Sequence, residues 1–208
     1  MQLTHGGLAR LAALAAAEPL APDCEHFYFL RHGQTAGNAR RIFQPFDEPL
    51  SALGMEQAVR AADRLAQEPI RSIVCSSAPR ALSTARAVGA PHGLAPLVHD
   101  ALRERHFGDL IGTSSAALDW DCAPPNGETL PEFVARKRAG LAFALAQPGP
   151  VLVVAHGGSL FVLAAALGLP FDGALLGNAQ PLRFERGGDG WRATALTPPA
   201  AGEGAAIA

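Results

Sequence analysis

Apolar and polar positions alternate in blocks along the chain. Phe27-Tyr28-Phe29-Leu30 is an apolar run too short for a helix and rich in aromatics. It predicts a buried strand that opens onto a glycine-broken polar loop. Ala52, Leu53, Met55, Ala58, Val59, Ala62 and Leu65 recur at helical spacing behind Ser51, which can cap a helix over residues 51–67, and Pro69 stops it. Residues 72–75 read as a short β-branched strand, 79–88 as a helix with proline in its first turn, and 96–99 as a further strand. Thr129-Leu130-Pro131-Glu132 is a capping box opening a helix to about residue 147. Val151-Leu152-Val153-Val154-Ala155 is apolar throughout, as strands in the middle of a parallel sheet are. A helix over 159–167 follows, and residues 179–185 and 191–196, joined through Gly187-Gly188-Asp189-Gly190, read as a hairpin.

This alternation predicts an α/β fold, a three-layer α/β/α sandwich with a mostly parallel central sheet and a C-terminal hairpin. Residues 103–127 have no clean period, and so long a connection in a compact domain usually carries function. The expected organisation is an N-terminal extension over 1–25, a catalytic domain over 26–197 and a flexible tail over 198–208. The extension holds an Ala/Leu run, 8–17, too short to span a bilayer. It faintly resembles a signal peptide, but no Lys or Arg precedes Arg10, and the expectation is a short helix capping the domain.

Composition narrows the partners. With 17% charged residues and a formal net charge of -2, the chain has no basic surplus for nucleic acid or an anionic membrane. Any anion site must then be a local arrangement of arginines. Cys24, Cys75 and Cys122 are odd in number and widely spaced, which favours a reducing, cytoplasmic setting over a disulfide framework or zinc knuckle. His92, His99 and His106 fall seven apart, not on one helix face, so no metal site is expected. The oligomeric state stays open, an oligomer included.

The first strand delivers Arg31 and His32 to its carboxyl end, where α/β sheets bind ligands, with Thr35 and Asn38 close behind. A cation, an imidazole, a hydroxyl and an amide suit a phosphate, and Gly33 would let the backbone approach it. Arg-His-Gly-x-Thr-x-x-Asn after an apolar strand resembles the signature of the histidine phosphatase superfamily, which includes the cofactor-dependent phosphoglycerate mutases. The resemblance implies that His32 becomes phosphorylated. It continues in order along the chain. Pro79-Arg80-Ala81-Leu82-Ser83-Thr84-Ala85 is similar to the family's second phosphate-clamp segment and marks Arg80, whose planar fork suits two phosphate oxygens. Leu102-Arg103-Glu104-Arg105-His106-Phe107-Gly108 resembles the segment of the proton donor and acceptor, which would be Glu104. His156 and Gly157, at the end of the second apolar strand, match the family's second histidine and add to the phosphate site. The implied site is therefore His32, Glu104 and His156 for catalysis, with Arg31, Asn38, Arg80, Thr35 and Gly157 binding phosphate, and neither metal nor cofactor.

Two details qualify that picture. Arg103 and Arg105 would hold Glu104 ionised if they faced it, so their heads should point elsewhere or the pH optimum should be acidic. Glu128, in a Gly-Glu-Thr loop like the family's Gly-Glu-Ser, is the scaffold residue that could face substrate. The expected activity is a metal-independent phosphomonoesterase acting on a small phosphorylated metabolite. The alternatives are mutase-type phosphoryl transfer and a non-catalytic phosphate-binding module. Residues 108–127 contain Asp109, Asp119 and Asp121 but no Lys or Arg, which reads as hostile to a phosphoglycerate carboxylate and favours hydrolysis. A serine hydrolase is the rival chemistry, through His156-Gly157-Gly158-Ser159, yet the chain lacks a G-x-S-x-G elbow.

Overall fold

The computed structural model describes residues 6–170 and 173–196, and the tail expected over 198–208 lies outside them. In chain order the elements are α1 (Leu8–Ala16), β1 (His26–Arg31), α2 (Ala36–Arg40), α3 (Ala52–Leu65), β2 (Ser72–Cys75), α4 (Pro79–Gly89), β3 (Leu97–Val98), α5 (Leu130–Leu145), β4 (Val151–Ala155), α6 (Gly157–Ala166), β5 (Pro181–Gly187) and β6 (Gly190–Ala195). The strands form one sheet in the order β3-β2-β4-β1-β5-β6. β3, β2, β4 and β1 are parallel, and β5 and β6 join antiparallel as the terminal hairpin.

Strand alternation sorts the core into two layers. Phe27, Phe29, Val151, Val153 and Ala155 pack on one face with α1, α5 and α6, whereas Tyr28, Leu30, Leu152 and Val154 pack on the other with α3 and α4. Both β4 and the middle of β1 are buried on both faces, hence their unbroken apolar sequences. The three-layer α/β/α fold is therefore as the sequence predicts.

Several details differ. The loop after β1 contains a short helix, α2, because Thr35 and Asn38 form a reciprocal capping box. On α3 the buried stripe is Gly54, Ala58, Ala61, Ala62 and Leu65, while Leu53, Met55 and Val59 face outward, so the apolar periodicity overstates the buried face. β3 shrinks to two exposed residues at the sheet edge, and α6 begins two residues early, at Gly157. Among the described residues, no helix is long and apolar enough to cross a membrane.

The N-terminal segment is built into the fold. Leu11 and Ala15 of α1 are buried in the same core cluster as α5 and α6. The Arg10 guanidinium pairs with Asp121 at 2.6 Å, and the Trp120 amide donates to the Gly6 carbonyl at 2.7 Å. α1 thus braces the irregular 103–127 connection from behind. Leu11 is 1% exposed, so Leu11→Ala should lower unfolding free energy by about 2–4 kcal/mol in urea titration. A loss under about 1 kcal/mol would show α1 to be dispensable to the core.

Candidate active site

The site begins with strand register. Arg31 lies opposite Ala155 across the parallel β1–β4 pair, and the His32 amide donates to the Ala155 carbonyl at 3.0 Å. The two strands therefore end level. The next residue on each is a histidine, and the rings of His32 and His156 lie 5.0 Å apart, centroid to centroid, tilted by 65°. β2 ends beside them, with the Ser76 amide on the Val154 carbonyl and the Ser76 hydroxyl 2.8 Å from His156 Nε2.

His32 is 3% exposed. Its Nδ1 lies 2.7 Å from the Gly33 carbonyl. A carbonyl only accepts, so Nδ1 carries the proton and Nε2 presents a lone pair. Burial, and then the charges of Arg31 and Arg80, hold His32 well below the ordinary histidine range, against the Gly33 hydrogen bond. His156 is lowered in the same way by burial and then by Arg80. Both imidazoles are neutral, and His32 has the tautomer a nucleophile needs.

Each arginine is anchored by one nitrogen. Arg31 Nη1 donates to the Leu176 carbonyl at 2.7 Å, and Arg80 Nη1 donates to the carbonyls of Pro45 and Phe46 at 3.1 Å each. Arg31 Nε, Arg80 Nε and His156 Nδ1 are buried without a hydrogen-bond partner. Burial lowers both guanidinium pKa values, opposed by Glu104. Unpaired donors and buried positive charge are costly alone and are relieved by an anion.

Glu104 comes from the irregular connection and docks beside Gly158 on the first turn of α6. Its two oxygens accept the amides of Gly158 and Arg105, each at 3.0 Å. A Cβ on Gly158 would come within 2.4 Å of Glu104 Oε1 and 2.8 Å of Trp120, so only glycine lets the carboxylate dock on the first turn of α6. The neighbouring arginine heads do point elsewhere. Arg105 donates to the carbonyls of Glu128, Trp120 and Cys122, and Arg103 to Ser77 and Asp100.

These groups open into one cavity of about 740 Å³, whose wall includes Arg31, His32, Asn38, Arg80, Glu104, His156 and Gly157. Asn38 Oδ1 accepts from the Thr35 amide and the Asn178 side chain, which leaves its amide nitrogen for the cavity. Thr35 stands behind the wall, fully buried, its hydroxyl capping α2 and donating to Gln44. Gly33 has another role than the one its place beside His32 suggested. Its amide donates to Thr84, and a Cβ there would meet the Gly54 carbonyl oxygen at 2.3 Å, so the glycine is demanded by contact with the first turn of α3. Glu128 lines the cavity, but both its oxygens are taken by Arg136 at 2.7 Å. Asp109, Asp119 and Asp121 of the 103–127 connection do not line it. Asp109 accepts from Asn126 and Asp121 pairs with Arg10 on the outer side, so the expected repulsion of a carboxylate has no structural basis. Among the described residues, no group of three or more His, Cys, Asp and Glu side chains is placed to hold a metal ion.

Comparison with known proteins agrees with the geometry. A model of the histidine phosphatase superfamily (branch 1) matches residues 27–197. The chain belongs to that superfamily. It is 38% identical over 162 residues to glucosyl-3-phosphoglycerate phosphatase of Mycobacterium tuberculosis, covering 66% of this chain and 73% of the relative. It is 34% identical over 161 residues to a probable phosphoglycerate mutase of Proteus mirabilis, covering 69% and 75%. The structure of a mycobacterial glucosyl-3-phosphoglycerate phosphatase complexed with VO3 superposes with a TM-score of 0.69 at 34% identity, over 83% of this chain and 98% of that one.

In this superfamily member, sequence reasoning missed the supporting residues. Asn178 ties the His32 carbonyl to Asn38 at 3.0 and 3.2 Å, Ser76 holds His156, and Arg136 and Lys137 brace the Glu104 strand of chain. Asn178 belongs to no periodic element and left no signal. Lys137 did leave one, a cation on the α5 face that also buries Phe133, Gly140, Leu141 and Ala144. Its amine donates to the Arg103 carbonyl, which Arg136 Nη1 also reaches at 3.0 Å. Burial draws the amine down to about 7, against the pull of Glu104. The unfolded chain keeps that proton to about pH 10.4. Between these values the unfolded state binds more protons, so stability should rise with pH, by at most about 1.4 kcal/mol per unit. Urea unfolding of wild type and Lys137→Met across pH 7–9.5 should show this rise only in wild type, with the variant more stable at pH 7. Parallel curves would contradict the assignment.

Proposed function

We propose that this protein is a phosphomonoesterase that acts through a phosphohistidine on a small phosphorylated metabolite. The observation that carries the reading is the neutral His32, its Nε2 free, between two anchored guanidinium groups with unpaired buried donors. The phosphoryl group sits against Arg31, Arg80, Asn38, His156 and the amino end of α6 at Gly157, whose helix dipole adds partial positive charge. His32 Nε2 attacks phosphorus, the P–O bond to the alcohol breaks, and Glu104 gives its proton to the leaving oxygen. Glu104, now a carboxylate, takes a proton from water, which attacks the phosphohistidine and releases phosphate. The fixed cations stabilise the charge of both transition states.

The relatives' names support hydrolysis, with mutase-type transfer the second reading because one relative is named a probable mutase. The reading needs no metal and no partner other than the substrate. Three free cysteines suit a reducing compartment, and we assign the cytoplasm.

Brief exposure to a labelled phosphate ester should leave acid-labile, base-stable label on the protein, absent in His32→Ala. Acid-stable label would point to a serine nucleophile. Glu104→Gln should slow hydrolysis of alkyl phosphates by about 10²-fold and affect aryl phosphates far less, since their leaving groups need little protonation. Equal losses in the two series, measured as kcat, would take the proton-transfer role from Glu104.

A further inference from the structure

Part of the cavity lining is apolar. It consists of Ile42, Phe43, Phe107, Ile111, Leu118 and Phe161, gathered from three separate segments. The rings of Phe43 and Phe107 lie 4.4 Å apart, tilted by 42°, and Trp120 packs between Phe107 and Phe161.

The guanidinium groups there are already matched by the protein. Arg136 is bound to both Glu128 oxygens and to the carbonyls of Ala101, Arg103 and Glu104. Arg105 is spent on three carbonyls, and Gln44 Oε1 on Thr35. Arg103 is held by Ser77 and Asp100 and lies 4.4 Å over the exposed Phe46 ring. Its side chain is 43% exposed, so it is the cation of this wall best able to turn toward a ligand. A carboxylate on the leaving group would lose its water against aromatic rings and meet guanidinium groups that already have partners. A hydrocarbon or ring in the same place would be buried.

We infer that the alcohol esterified in the substrate is uncharged and predominantly apolar, aliphatic or aromatic, and not a carboxylate-bearing glycerate. The inference rests on the phosphomonoesterase reading above and departs from the anionic leaving group in the name of the mycobacterial relative.

The test is kcat/KM for ethyl, butyl and hexyl phosphate, whose leaving alcohols have nearly equal acidity, beside 3-phosphoglycerate and p-nitrophenyl phosphate. Burial of each added methylene raises the constant by up to about fourfold. The expected result is at least a tenfold rise from ethyl to hexyl phosphate, with hexyl phosphate at least tenfold above 3-phosphoglycerate. Ile111→Ser should cut the hexyl-to-ethyl ratio at least threefold. A flat alkyl series overturns the inference. So does a preference for 3-phosphoglycerate, above all one lost in Arg103→Ala, which would show that Arg103 turns inward. If p-nitrophenyl phosphate is also left intact, the phosphomonoesterase reading fails and the inference falls with it.

Discussion

The parallel pairing of β1 with β4 is the contact on which the site depends. With Arg31 opposite Ala155 and the His32 amide on the Ala155 carbonyl, the two strands finish at one level, and the residue after each is a histidine. A slip of one residue would turn each side chain of β1 to the other face of the sheet and carry His32 away from His156. Apolar packing prevents it. Phe27 and Phe29 belong to one core layer and Tyr28 and Leu30 to the other, so a slipped strand would exchange both sets at once. The register that satisfies the core is the one that aligns the imidazoles.

Around those strand ends the protein concentrates buried positive charge. Arg31 and Arg80 lie close to two neutral imidazoles, their pKa values lowered by burial and held up in part by Glu104. Such an arrangement costs stability, because guanidinium donors are buried without partners. Burial keeps His32 deprotonated, and the cations that would receive a phosphate add to this by opposing a proton on the ring. The charges that bind thus also help to activate the nucleophile.

The position of Glu104 depends on the packing around Gly158. Gly158 admits Glu104 to the first turn of α6, and Trp120 covers the same spot. Trp120 in turn is held by the carbonyl of Gly6, just ahead of α1, and its neighbour Asp121 by Arg10 on that helix. A helix that contributes no residue to the cavity therefore shapes the part that receives the leaving group.

The chain by itself determined the layers and the chemistry at the strand ends, for a plain reason. Unbroken apolar runs at 27–30 and 151–155, each too short for a helix, fit strands covered on both faces, and such strands present their last polar residues to the ligand side of the sheet. His32, His156, Arg80 and Glu104 were legible because they follow local signals, a strand end, a helix start or a motif. Tertiary structure alone decided what those residues meet. Gly33 answers to the first turn of α3 and Thr35 to a cap and Gln44, contacts made between separate segments or within a helix too short for periodicity to reveal. Asp109 and Asp121 look outward although they belong to the segment that walls the cavity, because a connection without a repeating period gives no rule for which side chains face in. Asn178 reaches His32 from 146 positions away, and no local pattern encodes a partner at that separation.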